Sequence, residues 1–168
     1  QKKKADISRK TIEFENLADM LPEMIYEVDL NGKVIYGNSQ ALNFFGYTRE
    51  DLKKGMYISQ VFPESYKIMI ENLSKLKTSE DFSSNEYLAK KTDGTQVPIV
   101  THSFAIFHDG KIIGYRGTVT DISRQKIYED QIIREKAFLE HLIDSTPEAI
   151  AISDIPGKIT TVNKEFTN

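Results

Sequence analysis

Apolar residues fall at Ile12, Leu17 and Leu21 near helical spacing, and Pro22 then closes the run, so the pattern predicts an N-terminal helix. The pattern changes directly afterwards. In "EMIYEVDLNGKVIYGN" two short apolar runs flank Asn31-Gly32, a pair that tolerates positive φ, which predicts two antiparallel strands joined by a tight turn. Short helical patterns follow, broken at Gly46, Gly55 and Pro63, with the most regular helix expected over 64–77. Three further strands are expected over 85–91, 96–107 and 111–122, separated by Asp93-Gly94 and Asp109-Gly110 turns. The order of elements predicts an α+β domain: a five-stranded antiparallel sheet with helices on one face, flanked by N-terminal and C-terminal linker helices.

From 123 to 145 the chain has no Gly or Pro and is rich in Glu, Lys, Arg and Ile, which predicts a long helix. Tyr128, Ile132, Leu139 and Leu142 share a stripe, with Glu135 where another apolar residue would sit. This is the pattern of a short coiled-coil seam with a polar interruption, or of a helix lying on its own domain.

A repeat organises the whole. "LIDSTPEAIAISDIPGKITTVN" lies on "LADMLPEMIYEVDLNGKVIYGN" without a gap. Leu17, Asp19, Pro22, Glu23, Ile25, Asp29, Gly32, Lys33 and Asn38 recur as Leu142, Asp144, Pro147, Glu148, Ile150, Asp154, Gly157, Lys158 and Asn163, all at an offset of 125 residues. A period of that length is a domain. "DISR" also occurs twice, at 6–9 and 121–124, as an end-of-strand motif before linker helices of unequal length. The expected organisation is a linker helix from a preceding repeat (1–19), a complete domain (20–122), a second linker helix (123–146) and the first part of a second domain (147–168). The fragmentary hairpin over 148–163 has no sheet to complete, and is expected to be poorly ordered or paired with another chain.

Composition narrows the function classes. The 22 basic and 25 acidic residues leave a net charge of -3, removing the electrostatic case for a nucleic-acid partner. No apolar run approaches the roughly 18 residues of a membrane helix, so a cytoplasmic protein without a membrane segment is expected. The absence of cysteine excludes disulfides, thiolate zinc sites and cysteine nucleophiles. No phosphate-binding glycine loop, nucleophile elbow or zinc-protease motif is present, which predicts a non-enzymatic piece.

The motifs "PEMIYEVDLNGKVIYGNSQALNFFGYTREDL", "AKKTDGTQVPI" and "GKIIGYRGTVTDISRQK" resemble the PAS (Per-Arnt-Sim) sensor domain, over 20–123 in full and 145–168 in part. The family's turn before the second strand, its Asn after that strand, its Gly-Tyr, its Lys-x-Asp-Gly turn and its closing Asp-Ile-Thr are matched in order. They are Asn31-Gly32, Asn38, Gly46-Tyr47, Lys91-Thr92-Asp93-Gly94 and Asp121-Ile122-Ser123, with Asn at 31 and Ser at 123 as departures. The resemblance implies a tandem sensor array in a signalling protein such as a two-component histidine kinase, with the output domain elsewhere in the chain and a homodimer formed through the linker helices.

With strand parity taken partly from the family, a ligand pocket is expected from Tyr26 and Val28, Tyr87 and Ala89, Ile99, Thr101 and Ser103, and Tyr115 and Val119 on the strands. Leu42, Phe45, Ile58, Phe62, Ile70 and Leu73 would complete it from the helices. Asp121, Ile122 and Ser123 are the expected signal-transmission residues, Asp121 and Ser123 both accepting hydrogen bonds from the first turn of the linker helix. Lack of cysteine excludes a covalent flavin adduct and a thioester chromophore. Haem is disfavoured because "ESYKIMIENLSKLK" carries no His and His102 would face away from the pocket. His102, His108 and His141 are too scattered for a metal site, and Leu142 after His141 does not fit a phosphoacceptor motif. No cofactor is expected, and the ligand is an unknown small molecule. Two alternatives stay open: a structural dimerisation module with a filled core, and a sensor holding flavin non-covalently.

Overall fold

The computed structural model describes residue 13 and residues 15–167. Ile12 and the first Asp-Ile-Ser-Arg sequence lie outside the described residues. Residues 15–20 (α1) are the described end of the first helix, which stops ahead of Pro22 as the sequence predicts. Two compact units divide the chain, the first ending at Ser123 and the second starting at Arg124. Among the described residues no helix is long and apolar enough to cross a membrane.

In the first unit, β1 (Met24–Asp29) and β2 (Val34–Gly37) precede α2 (Ser39–Phe45), α3 (Arg49–Lys54), a 3-10 turn (Ile58–Gln60) and α4 (Tyr66–Ser74). Then come β3 (Phe82–Lys90), β4 (Gln96–His108) and β5 (Lys111–Asp121). The strands form one antiparallel sheet in the order β2-β1-β5-β4-β3, the expected five-stranded α+β arrangement. The last strand is therefore the central one. Inward residues alternate along β4, where Val97, Ile99, Thr101 and Ser103 are buried, and they meet Phe45, Met69 and Leu73 from the covering helices.

Turn chemistry explains the hairpins, with two corrections. Between β3 and β4 only Gly94 is left-handed, and Asp93 Oδ1 accepts from the Thr95 N–H at 2.8 Å, so this connection is wider than a two-residue turn. Between β4 and β5, Asp109 (φ 48°) and Gly110 (φ 74°) both take the left-handed conformation, giving the two-residue turn whose twist suits a hairpin. Between β1 and β2 only Gly32 is left-handed, so Asn31-Gly32 is not a turn of that kind. The connection is wider because Asp29 organises it, its Oδ1 accepting from the Asn31 N–H at 2.8 Å and the Lys33 N–H at 2.9 Å.

Two boundaries also shift. β3 starts at Phe82, ahead of the expected 85, because its polar Ser83-Ser84 segment is paired by the longer β4, with the Phe82 and Phe104 rings 6.2 Å apart. α4 ends at Ser74, short of 77, because Asp81 Oδ2 accepts from the Lys77 and Thr78 N–H groups and turns the chain into β3.

Asn38 ties the entry to the domain together. Its Oδ1 accepts from Ile25 N–H (2.9 Å) and Ala41 N–H (3.1 Å), while its Nδ2 donates to the Ala18 (2.9 Å) and Glu23 (2.8 Å) carbonyls. Beside it, Asp19 accepts from Ser39 N–H and pairs with Arg49 at 2.6 Å.

In the second unit the repeat is visible as hydrogen bonds. Following α5 (Ser123–Ser145), β6 (Ala151–Ser153) and β7 (Ile159–Val162) pair antiparallel. Asn163 accepts from Ile150 N–H at 2.7 Å and donates to the Glu148 carbonyl at 2.8 Å, the same bonds that Asn38 makes 125 residues earlier. Asp154 holds the turn at Lys158 as Asp29 does at Lys33. The 148–163 segment thus forms the hairpin its pattern predicts, closed locally by the Asn163 clamp. The Tyr128, Ile132, Leu139 and Leu142 side chains of α5 are all exposed.

Truncating Asn38 to Ala strands two buried N–H groups and two carbonyls, so the expected cost is about 2–4 kcal/mol. Urea unfolding followed by circular dichroism checks this, and Asn38→Asp, which sets a buried carboxylate against the Ala18 and Glu23 carbonyls, is expected to recover none of the loss.

Candidate functional site

Between β1, β2, β4 and β5 on one side and α2, the 3-10 turn and α4 on the other, the first unit holds a cavity of about 50 Å³. That is room for three or four water-sized groups. The walls are almost wholly apolar and carry no charged residue; Tyr26, Tyr36, Tyr47 and Thr101 are the lining residues that bear a side-chain hydroxyl.

The expected pocket residues divide into two sets. Tyr26, Val28, Leu42, Phe45, Ile58, Phe62, Thr101 and Val119 line the cavity. Leu73, Tyr87, Ala89, Ile99, Ser103 and Tyr115 are buried with them but do not line it. Tyr87 accounts for much of this split. Its ring packs edge-on against Phe62 at 5.9 Å and its hydroxyl accepts from Asn72 Nδ2 at 3.0 Å, so the β3 side of the core is filled. Ile70 belongs to neither set: it is half-buried and lies outside the core, because Met69, Leu73 and Leu76 form the inward stripe of this segment.

Val34 and Tyr36 on β2, and Met56, Val61 and Met69, also line the cavity and were not singled out from sequence. Alternation within "KVIYG" carries the signal for the first two. Met56 and Val61 sit in irregular backbone, where no periodicity marks the inward face.

One row of the sheet carries a buried polar contact across three strands. Tyr26 on β1 and Ser103 on β4 are both register partners of Gly117 on β5. With no side chain at Gly117, the Tyr26 hydroxyl reaches across the central strand to Ser103 Oγ at 2.7 Å. A Cβ at Gly117 would run into the His102 carbonyl oxygen. Burial pushes the Tyr26 phenol up to about 12, the Ser103 hydrogen bond offsetting only part of the effect.

At the end of β5 the chain passes from Val119, a cavity wall, to the junction with α5. Asp121 Oδ1 accepts from the Ser123 N–H at 2.8 Å and from the Ser123 hydroxyl at 2.6 Å. Ser123 therefore donates, and the expectation that its side chain accepts from the helix is corrected: a charged carboxylate is the stronger acceptor within reach. Ile122 is buried, and its N–H donates to the Pro98 carbonyl at 3.1 Å, anchoring the junction on β4. His102 is exposed on the outer face of β4, and among the described residues no group of three or more His, Asp or Glu side chains could hold a metal ion.

A five-stranded antiparallel sheet covered by short helices over an apolar cavity defines the class as an α+β domain. The chain belongs to the PAS domain family: a PAS domain model matches residues 22–124, and a second PAS domain model matches 137–168. Comparison with curated proteins finds no match. Among solved structures, the chain is similar to the PAS domain of an HTR-like protein from Haloarcula marismortui, at 18% identity over 72% of this chain and 98% of that one, with a TM-score of 0.59. It is similar to a sensory box histidine kinase/response regulator of Burkholderia thailandensis E264, at 16% identity over 76% and 98%, TM-score 0.57. It is also similar to the PAS domain of a LuxR-family transcriptional regulator from Burkholderia thailandensis, solved in complex with ethanol, at 15% identity over 66% and 97%, TM-score 0.55.

Because the folded Tyr26 phenol holds its proton to about pH 12 while an unfolded tyrosine releases it near 10, the unfolded state binds fewer protons between those values. Stability present below pH 10 is therefore lost as pH rises toward 12, by about 2–3 kcal/mol in total. Urea midpoints measured from pH 9.5 to 11.5 are expected to fall accordingly, and Tyr26→Phe to flatten the decline.

Proposed function

We propose that the first unit is a sensory PAS domain that takes a small molecule into its core and passes the change in core state through Asp121, Ile122 and Ser123 to α5. The observation that carries this reading is continuity along β5. Val119 lines the cavity, and two residues on Asp121 closes the clasp that starts the helix. A shift at Val119 has a short, hydrogen-bonded route to α5, and two packings a few kcal/mol apart suffice for a switch.

The domain acts as a binding module, without catalysis of its own, in a cytoplasmic signalling protein whose output domain belongs to the same chain. Likeness to a histidine kinase structure supports an output of that kind. The cavity volume favours a ligand of a few heavy atoms over a haem or flavin ring, and the ethanol complex of a similar fold is in keeping with such a ligand. The 125-residue repeat and the matching Asn38 and Asn163 clamps support a tandem array. The exposed Ile132, Leu139 and Leu142 of α5 support a homodimer through that helix. A dimerising spacer with a dry core is the second reading, favoured by the closely filled β3 side of the core.

Hydrogen exchange of the 168-residue chain tests transmission. Saturating 2-propanol is expected to change exchange at the 122–127 amides by roughly fivefold or more, and Asp121→Ala to abolish that response while the core still binds. Unaltered exchange in wild type with the cavity occupied would leave the spacer reading standing.

A further inference from the structure

Thr101 poses a problem that its neighbour on the same strand face does not. Both Thr101 and Ser103 are 2% exposed, yet only Ser103 has a partner. Among the described residues the Thr101 hydroxyl makes no hydrogen bond, although it lines the cavity. The sheet register gives the reason. Ser103 shares a row with Gly117 and Tyr26, whereas Thr101 lies between Val119 on β5, which has no polar side-chain atom, and Asn85 on β3. Asn85 directs its amide to Ser83 Oγ instead. A ligand oxygen that accepts from this hydroxyl adds a hydrogen bond worth about 1 kcal/mol.

The Tyr26 hydroxyl, which also belongs to a lining residue, is already bonded to Ser103, so Thr101 carries the recognition. Anions are unsuited to the space, since no lining residue is cationic and the same burial that opposes ionisation of Tyr26 opposes any charge there.

We infer that the cavity takes a small neutral organic molecule bearing one hydroxyl or carbonyl oxygen on an aliphatic body of a few carbons, and that Thr101 is the residue that selects it. This rests on the sensory reading above and sets its ligand class. The aliphatic part lies among Val28, Leu42, Ile58 and Val119, and the oxygen accepts from Thr101 Oγ1. Ligands with no oxygen enter the same volume but leave Thr101 unsatisfied, and carboxylates are rejected.

Methyl NMR titrations of the whole 168-residue chain with 2-propanol, xenon and acetate test this. The expected result is that 2-propanol and xenon both shift the Val28, Ile58 and Val119 methyls, while acetate at equal concentration does not. Thr101→Val, which keeps the shape and removes the hydroxyl, weakens 2-propanol about tenfold and leaves xenon unchanged. Thr101→Ser restores most of the loss. If Thr101→Val binds 2-propanol as wild type does, or acetate binds as well as 2-propanol, the ligand class is wrong while the binding core stands. If neither xenon nor 2-propanol moves any core methyl, the sensory reading itself falls, and this inference with it.

Discussion

Four backbone groups from different parts of the chain converge on the Asn38 side chain, which is fully buried. A carboxamide offers two donor hydrogens and two acceptor lone pairs, and all are used, on Ala18, Glu23, Ile25 and Ala41. The bonds fix how α1 meets β1, where β2 ends and where α2 begins. Everything around the cavity inherits that geometry: β1 and β2 supply Tyr26, Val28, Val34 and Tyr36, and α2 supplies Leu42 and Phe45. No other residue type could do the same, since Asp lacks the donors and Gln would place the amide one methylene too far.

This is why so much of the fold could be read from the sequence. Asn38, Asp29 and Gly32 act through short-range bonds or a left-handed φ, so their spacing is fixed and repeats at 163, 154 and 157. The alternation on β4 and the Asp109-Gly110 turn were legible for the same local reason. One missed feature depends on a distant partner, and the other on a carboxylate that folds back three and four residues. β3 gains its first residues only because β4 is long enough to pair them, and Asp81 shortens α4 from beyond its end.

The site was less legible than the fold. Parity along strands identified which side chains face inward, and that suffices for burial. It cannot show how the interior volume is shared out. Tyr87 swings to Asn72 and fills the space on its side, which leaves the cavity under β1, β2, β4 and β5 and brings in Met56, Val61 and Met69 from segments without clear periodicity. Ile70 was misplaced by a single helical step for a related reason: with Ile68, Met69 and Ile70 all apolar, composition alone does not fix the inward phase, and only Leu73 and Leu76 together settle it on Met69.

The repeat separates scaffold from specificity in a way that bears on function. At the 125-residue offset the clamps are retained, but the wall positions are not: Tyr26, Val28 and Tyr36 correspond to Ala151, Ser153 and Thr161. Ala151 carries no hydroxyl, so the second copy has no counterpart of the Tyr26 arm that spans Gly117 to reach Ser103. The frame is thus retained at the 125-residue offset while the positions that line the cavity of the first unit are exchanged, so the bonds that set the fold are separable from the residues that set the interior.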